Sequence, residues 1–400
     1  MSIAVGYVLD GRSFGADRVS QLSGVLPDPG RGRTYAAGVS TSAALQRSRA
    51  RVDRICGAAV DARTLRLRLL EVLHAAAPFD AYVWMLTDPV TSVGVAPLAD
   101  VPCLDELPRL IGLKYRTAVN RWTTLSTSTS TSTSTSTAAS LYGATGGHPS
   151  RSLLWRELLD GCAIGDIASA VYTDRFGCWG FLDLWRSADT APFNPDEIAF
   201  LIDTVPTVTV ALRQCQAHTL TEHAPDAPAH PGPVVLILSR DLEVLAQTPE
   251  TKQLLQVLVP PTGDRAPIPA SAYNVGAQLI ATEVGVDANP PTARVHVAEG
   301  QWVTLRAARI GDTTPVADRD IAVTIEQTSP PERLDLFSRA VALSPRESEL
   351  FAYLAAGADT RELAARMHLS EHTVQDHLKS IFTKTGTRTR RALLTRALGT

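Results

Sequence analysis

The sequence predicts an α+β multidomain chain, with strand-and-helix units upstream and an all-α bundle at the C-terminus. Three observations carry this. Four hundred residues are too many for one small core, and a hydrophobic fraction of 44% is that of a folded chain. Period-two apolar patterns alternate with helical ones from Thr64 to Gln327. From Leu343 onward, capping residues and turn glycines recur roughly every dozen residues, as short helices require.

Residues 1–52 are rich in Gly, Ser, Arg and Pro and short of periodic apolar residues, so they are read as a flexible segment with a short helix around Ala43–Arg51. Residues 53–217 carry the first unit. Leu65, Leu69, Leu70 and Leu73 form a helical stripe that ends before Pro78. Tyr82 to Leu86 reads as a strand, and Val93 to Leu98 as its returning partner. Helical patterns follow at Leu104–Val119 and Leu153–Cys162. Cys178 to Arg186 is a strand with Trp179, Phe181 and Trp185 expected on one face and Gly180, Leu182 and Leu184 on the other. Asn194-Pro195-Asp196-Glu197 then caps a long apolar helix. This layout, with the strand Gly177-Cys-Trp-Gly-Phe-Leu-Asp-Leu, resembles a GAF-like sensor domain. Within it, residues 123–140 include the strict Ser-Thr alternation from Ser126 to Thr137. A tract with no apolar face reads as a solvated loop.

Residues 218–232 hold Pro, Ala and three histidines (His218, His223, His230) and read as a linker, not a metal site. Residues 233–328 form the second unit. Val234–Leu238 and Leu242–Leu245 are short strands, Thr248-Pro249 opens a helix through Val257, and Val275–Val284 is another helix. Arg294–Val297, Trp302–Ile310 and Ile321–Glu326 make a meander turned at Glu299-Gly300. The arrangement resembles a PAS-like domain. Residues 329–342 read as a connecting helix bearing Leu334, Leu336 and Phe337.

Residues 343–400 are parsed most closely. Ser344-Pro345-Arg346-Glu347 is a capping box with Pro at the first helical position, and Gly357 ends that helix. Thr360 is read as the cap of a second helix buried through Leu363, Ala364 and Met367. Ser370 caps a third, in which Val374, Leu378, Ile381 and Phe382 face inward and His372, Gln375, Asp376, Lys379 and Thr383 outward. The stretch LSPRESELFAYLAAGADTRELAARMHLSEHTVQDHLKSIFTKTGTRTR resembles the LuxR-type (GerE-type) helix-turn-helix domain almost throughout. That resemblance implies double-stranded DNA as partner. It places Gln375, Asp376 and Lys379 in the major groove, with Thr360, Thr373, His377, Lys384 and Arg388 near phosphates. It also implies a homodimer formed through the last helix, by Leu393, Leu394 and Ala397. Asp376 is atypical, because an anion facing DNA costs binding unless a cytosine amino group donates to it.

Charge agrees in sign. From Leu343 there are nine Lys/Arg and six Asp/Glu, a balance of +3, whereas the whole chain is −3, leaving −6 upstream. The opening residues show no basic-then-apolar run, and no stretch reads as a membrane span, so a cytoplasmic location is expected. Five cysteines without a C-x-x-C pair point to reduced thiols. No G-x-x-x-x-G-K-[ST], G-x-S-x-G or H-E-x-x-H motif occurs, so no catalytic residue, cofactor or metal is expected. The reading is a one-component transcriptional regulator whose upstream units sense an unidentified small molecule, with tryptophans as candidate pocket walls. An acyl-homoserine-lactone-type receptor, and a phosphatase-like enzyme with a DNA-binding tail, remain the alternatives.

Overall fold

The computed structural model describes residues 34–125, 136–221, 234–251, 270–297, 301–312 and 315–399. Helix α1 (Thr34–Gly57) starts the described chain and is longer than the helix expected from sequence. Its polar composition hid it, yet Val52 and Cys56 are buried, and Arg49 Nη2 donates to Thr207 Oγ1 at 3.0 Å. Helix α2 (Ala62–Ala76) begins where Asp61 Oδ1 accepts from Thr64 N at 2.8 Å, and Leu65, Leu69, Leu70 and Leu73 are buried as their spacing predicts.

Five antiparallel strands follow: β1 (Ala81–Thr87), β2 (Gly94–Asp100), β3 (Ala138–Ser140), β4 (Ile164–Asp174) and β5 (Gly177–Ser187). Their order across the sheet is β2-β1-β5-β4-β3. Between strands lie α3 (Leu107–Arg116) and the single turns α4 (Trp122–Leu125) and α5 (Leu141–Ala144). The helix expected over Leu153–Cys162 shrinks to a π-helical turn at Trp155–Leu159. Strand β4 escaped the sequence reading because nearly every residue in it is buried, which removes the polar-apolar alternation. The faces of β5 also differ from expectation. Opposite Thr173 the β4–β5 register shifts, so Trp179 joins Leu182, Leu184 and Trp84 on one face while Phe181 and Trp185 lie on the other. An extra residue in one strand flips the alternation beyond it.

The face bearing Trp179 packs on α1, α2 and α6 (Pro195–Thr221), where Trp84 and Tyr172 stack at 5.4 Å. Helix α6 is long and apolar enough by composition to cross a membrane, contrary to expectation, but half of its apolar window is buried within the chain. Phe200, Leu201, Val205, Val208, Leu212 and Cys215 of this helix are core residues. Because α6 runs to Thr221, residues 218–221 of the expected linker are helical, and 222–233 lie outside the described residues.

The second unit repeats the strand order of the first. Strands β6 (Val234–Leu238), β7 (Val244–Gln247), β8 (Thr292–His296), β9 (Trp302–Arg309) and β10 (Ile321–Gln327) pair as β7-β6-β10-β9-β8. Helix α7 (Ala270–Glu283) covers one face and also packs against α3 of the first unit. The helix expected from Thr248 through Val257 begins as expected, with residues 249–251 helical, while 252–257 and the turn at Glu299-Gly300 fall outside the described residues.

Helix α8 (Pro330–Ala340) connects to the C-terminal bundle, with Ser329 N donating to Glu332 Oε2 at 3.1 Å at its start. The bundle is α9 (Pro345–Ala355), α10 (Thr360–Met367), α11 (Glu371–Thr385) and α12 (Arg390–Leu398). Phe337 of α8 is fully buried against Phe351 of α9, with ring centroids 5.8 Å apart.

Candidate nucleic-acid interface

Helix α11 is held from both ends. At its start Ser370 Oγ accepts from Thr373 N at 3.1 Å, and at its end Gly386 takes a positive φ of 63° while its N–H returns to the helix. Val374, Leu378 and Ile381 are buried at 0–2% exposure, which fixes the rotation of the helix. His372, Gln375, Asp376, Lys379 and Thr383 are exposed on the opposite side, as their spacing predicts. His372 Nε2 lies 3.7 Å from Asp376 Oδ2, one turn along.

The remaining site residues divide. Thr373 and His377 are half-buried at the edge of the outward face, and Arg388 is exposed in the turn before α12. Thr360 does not cap α10. Asp359 does, its carboxylate accepting from Glu362 N at 2.8 Å, because a carboxylate competes better for that position. Thr360 Oγ1 instead accepts from Arg390 Nη2 at 2.6 Å and so ties α10 to α12.

Lys384, partly exposed, is likewise tied to its own bundle. Its Nζ lies 2.5 Å from Glu347 Oε2 and 3.3 Å from Ala342 O. Glu347 is 4% exposed and also accepts from Ser380 Oγ and Ser344 N, each at 2.6 Å. Burial pushes this carboxyl up, but the donors from Lys384, Ser380 and Ser344 outweigh it and hold Glu347 at about 2. The Leu-Ser-Pro-Arg-Glu opening is therefore a polar clamp on α11 as well as a capping box.

The last helix is packed against its own chain. Leu393 and Ala397 are fully buried and Leu394 is half-buried, with α6 and α8 as neighbours. Arg333 of α8 donates through Nε to Ala397 O at 3.1 Å and through Nη2 to Leu220 O at 3.0 Å. One guanidinium thus joins the ends of α12 and α6. Nothing in the sequence marks Arg333 for this role, since a buried arginine looks like any polar residue of an amphipathic helix.

The family described as bacterial regulatory proteins, luxR family, matches residues 341–397. A curated relative, the probable HTH-type transcriptional regulator GfsR of Streptomyces halstedii, is 45% identical over 62 residues, which is 16% of this chain and 26% of the relative. The match thus spans about a quarter of that relative's length. Among solved structures, the phage VqmA-DPO complex is 14% identical, covering 41% of this chain and 80% of that one at a TM-score of 0.20. A Vibrio cholerae VqmA dimer in the absence of target DNA is 16% identical, covering 42% and 83% at a TM-score of 0.17. Residues 341–397 are a LuxR-type helix-turn-helix domain, with α10 and α11 as its paired helices.

Proposed function

We propose that this chain is a one-component, cytoplasmic transcriptional regulator that binds DNA through α11 and modulates that binding through its upstream units. The observation that carries the reading is the division of α11 into a fully buried stripe and an exposed face of Gln375, Asp376 and Lys379. Lys379 suits guanine and Gln375 adenine, each worth roughly 1–3 kcal/mol of discrimination. Asp376 suits a cytosine amino group. Thr373, His377 and Arg388 flank this face within reach of phosphates, with Thr360 and Lys384 behind them as supports.

The upstream units are read as GAF-like and PAS-like sensor modules. In support, the two sheets share one strand order, with helical segments inserted between the second and third strands of each. Assembly is read as a homodimer through α12, and its apolar residues tie that step to the upstream units. Leu393 and Ala397 lie against α6 and α8, so pairing two α12 helices requires release of the helix from Arg333. A small molecule that shifts this docking shifts DNA affinity by the same free energy.

Fluorescence anisotropy with DNA bearing a selected site tests the reading. Affinity should fall with salt at a log–log slope of roughly one unit per phosphate contacted, and Lys379→Ala should lower preference for the selected site over random DNA. Equal affinity for selected and random duplexes contradicts it.

A further inference from the structure

Between the first sheet and α3 lies a cavity of about 90 Å³ that opens to solvent. Its floor is the sheet face carrying Val83, Met85, Phe181, Asp183 and Trp185, and its roof is α3 with Leu107, Leu110, Ile111 and Lys114. Ala270 and Asn274 of α7 close one end, so both upstream units contribute to the wall. The sheet below and the helix above favour a flat occupant.

The polar groups in this wall are few and buried. Lys114 Nζ lies 2.6 Å from Asp183 Oδ2, with side-chain exposures of 16% and 4%, and Ser169 Oγ donates to Asp183 Oδ1 at 2.6 Å. Both carboxylate oxygens are therefore engaged, whereas Lys114 has spent one of three donors. Trp185 is 1% exposed, and its indole Nε1–H is buried with no acceptor among the described residues. The Tyr115 hydroxyl accepts from Gly94 N at 2.9 Å, and its own hydrogen has no acceptor among the described residues. Burial pushes that phenol up, so it stays a donor at every physiological pH. Asn274 donates through Nδ2 to Gly94 O at 2.9 Å and leaves its carbonyl oxygen as the wall's main unspent acceptor.

Unspent donors thus outnumber unspent acceptors in a largely apolar slot, and a buried donor left unmade is costly. The occupant must bring acceptor oxygens. It must also be neutral, because Lys114 and Asp183 already cancel and an added carboxylate would be an uncompensated buried anion.

We infer that this cavity is a binding site for a flat, neutral, largely apolar molecule bearing at least one carbonyl-type oxygen, held by Lys114, Trp185 and Tyr115. This rests on the sensor reading proposed above and names its site and ligand class. Occupancy would couple the two upstream units, since Asn274 and Ala270 belong to one and the sheet floor to the other.

The test uses the full chain and the naphthalene ketone prodan, which is flat, neutral and fluorescent. Two skeletal analogues serve as controls, one with the ketone reduced to a propyl group and one carrying a carboxylate. Prodan should bind one to one with a blue-shifted emission, about tenfold tighter than the propyl analogue and tighter than the carboxylate. Ala99→Trp should block binding by filling the slot while the melting transition is retained. Trp185→Phe keeps an aromatic wall but deletes one donor, so the ketone-to-propyl preference should shrink severalfold. No saturable binding, equal affinity for ketone and propyl forms, or a preference untouched by Trp185→Phe overturns the inference. Binding to selected DNA is measured on the same samples. Sequence-specific DNA binding without prodan binding overturns the cavity assignment and leaves the regulator reading standing. Prodan binding without DNA binding does the reverse.

Discussion

Arg294 of β8 grips Asp88, in the turn that leaves β1, through a paired contact: Nε to Oδ2 and Nη2 to Oδ1, each at 2.7 Å. Both side chains are buried, and Arg294 N also donates to Asp88 Oδ2 at 2.8 Å. The third nitrogen of the guanidinium reaches Asp335 Oδ2 and Glu332 O of α8, both at 3.3 Å. One residue therefore meets the first sheet, its own sheet and the helix that leads to the DNA-binding bundle.

Arg294→Met should destabilise the chain by about 3 kcal/mol or more, because it strands a buried carboxylate. A double-mutant cycle with Asp88→Asn, read by chemical denaturation, should show a coupling of at least about 1 kcal/mol. Additive effects would mean that the pair does not join the units.

A second consequence concerns pH. Burial first, and the Arg333 guanidinium second, lower His296 from 6.5 to about 4. In that interval the unfolded chain binds the proton that the folded chain refuses. Stability is therefore full above about 6.5 and falls as the pH drops towards about 4, by on the order of 2–3 kcal/mol. His296→Gln should flatten that slope in denaturation curves taken between these values. An unchanged slope would place the acid sensitivity elsewhere.

Lys379 and Lys384 should separate cleanly although both sit on α11. Lys384→Ala leaves Glu347 buried without its cation, which should cost about 2 kcal/mol of stability, below the loss for a fully buried pair because Lys384 is a third exposed. Lys379→Ala should leave stability within about 0.5 kcal/mol, since surface changes away from packed features are small. Thermal melts of the two variants check this, and equal destabilisation would contradict the placement of Lys384.

Assembly gives a further expectation. Leu394 is half-buried on α12, beside the fully buried Leu393. Leu394→Glu should reduce dimer occupancy on DNA, whereas Arg333→Ala, by loosening α12 from α6 and α8, should raise it severalfold. Sedimentation in the presence of DNA reads both. Identical dimer fractions in all three proteins would remove α12 from the interface.

The C-terminal bundle was legible because every helix there announces itself through local chemistry. Capping residues at Ser344 and Ser370, the glycine at 357 and a 3.6-residue apolar period agree with the folded positions, while the cap expected at Thr360 falls one residue earlier, at Asp359. Upstream, strands with a polar face were visible, but β4 and the bulge at Trp179 were not, since both depend on what covers each face. The long-range polar hubs were the least visible. Arg294, Arg333 and the Lys114–Asp183 pair acquire their partners only when segments distant in sequence come together. The sequence offers no period or spacing that marks a buried ion pair before the fold exists.

The central claim is that α11 reads DNA sequence, and selection from a random duplex pool tests it most directly. The intact protein should enrich a two-fold symmetric site with half-sites about one helical turn apart. Lys379→Ala and Gln375→Ala should each relax a base position within the half-site, at roughly 1–3 kcal/mol per lost contact, while Arg388→Ala weakens all sequences alike. Enrichment of no motif by the intact protein, or an identical motif from Lys379→Ala and Gln375→Ala, would contradict the account.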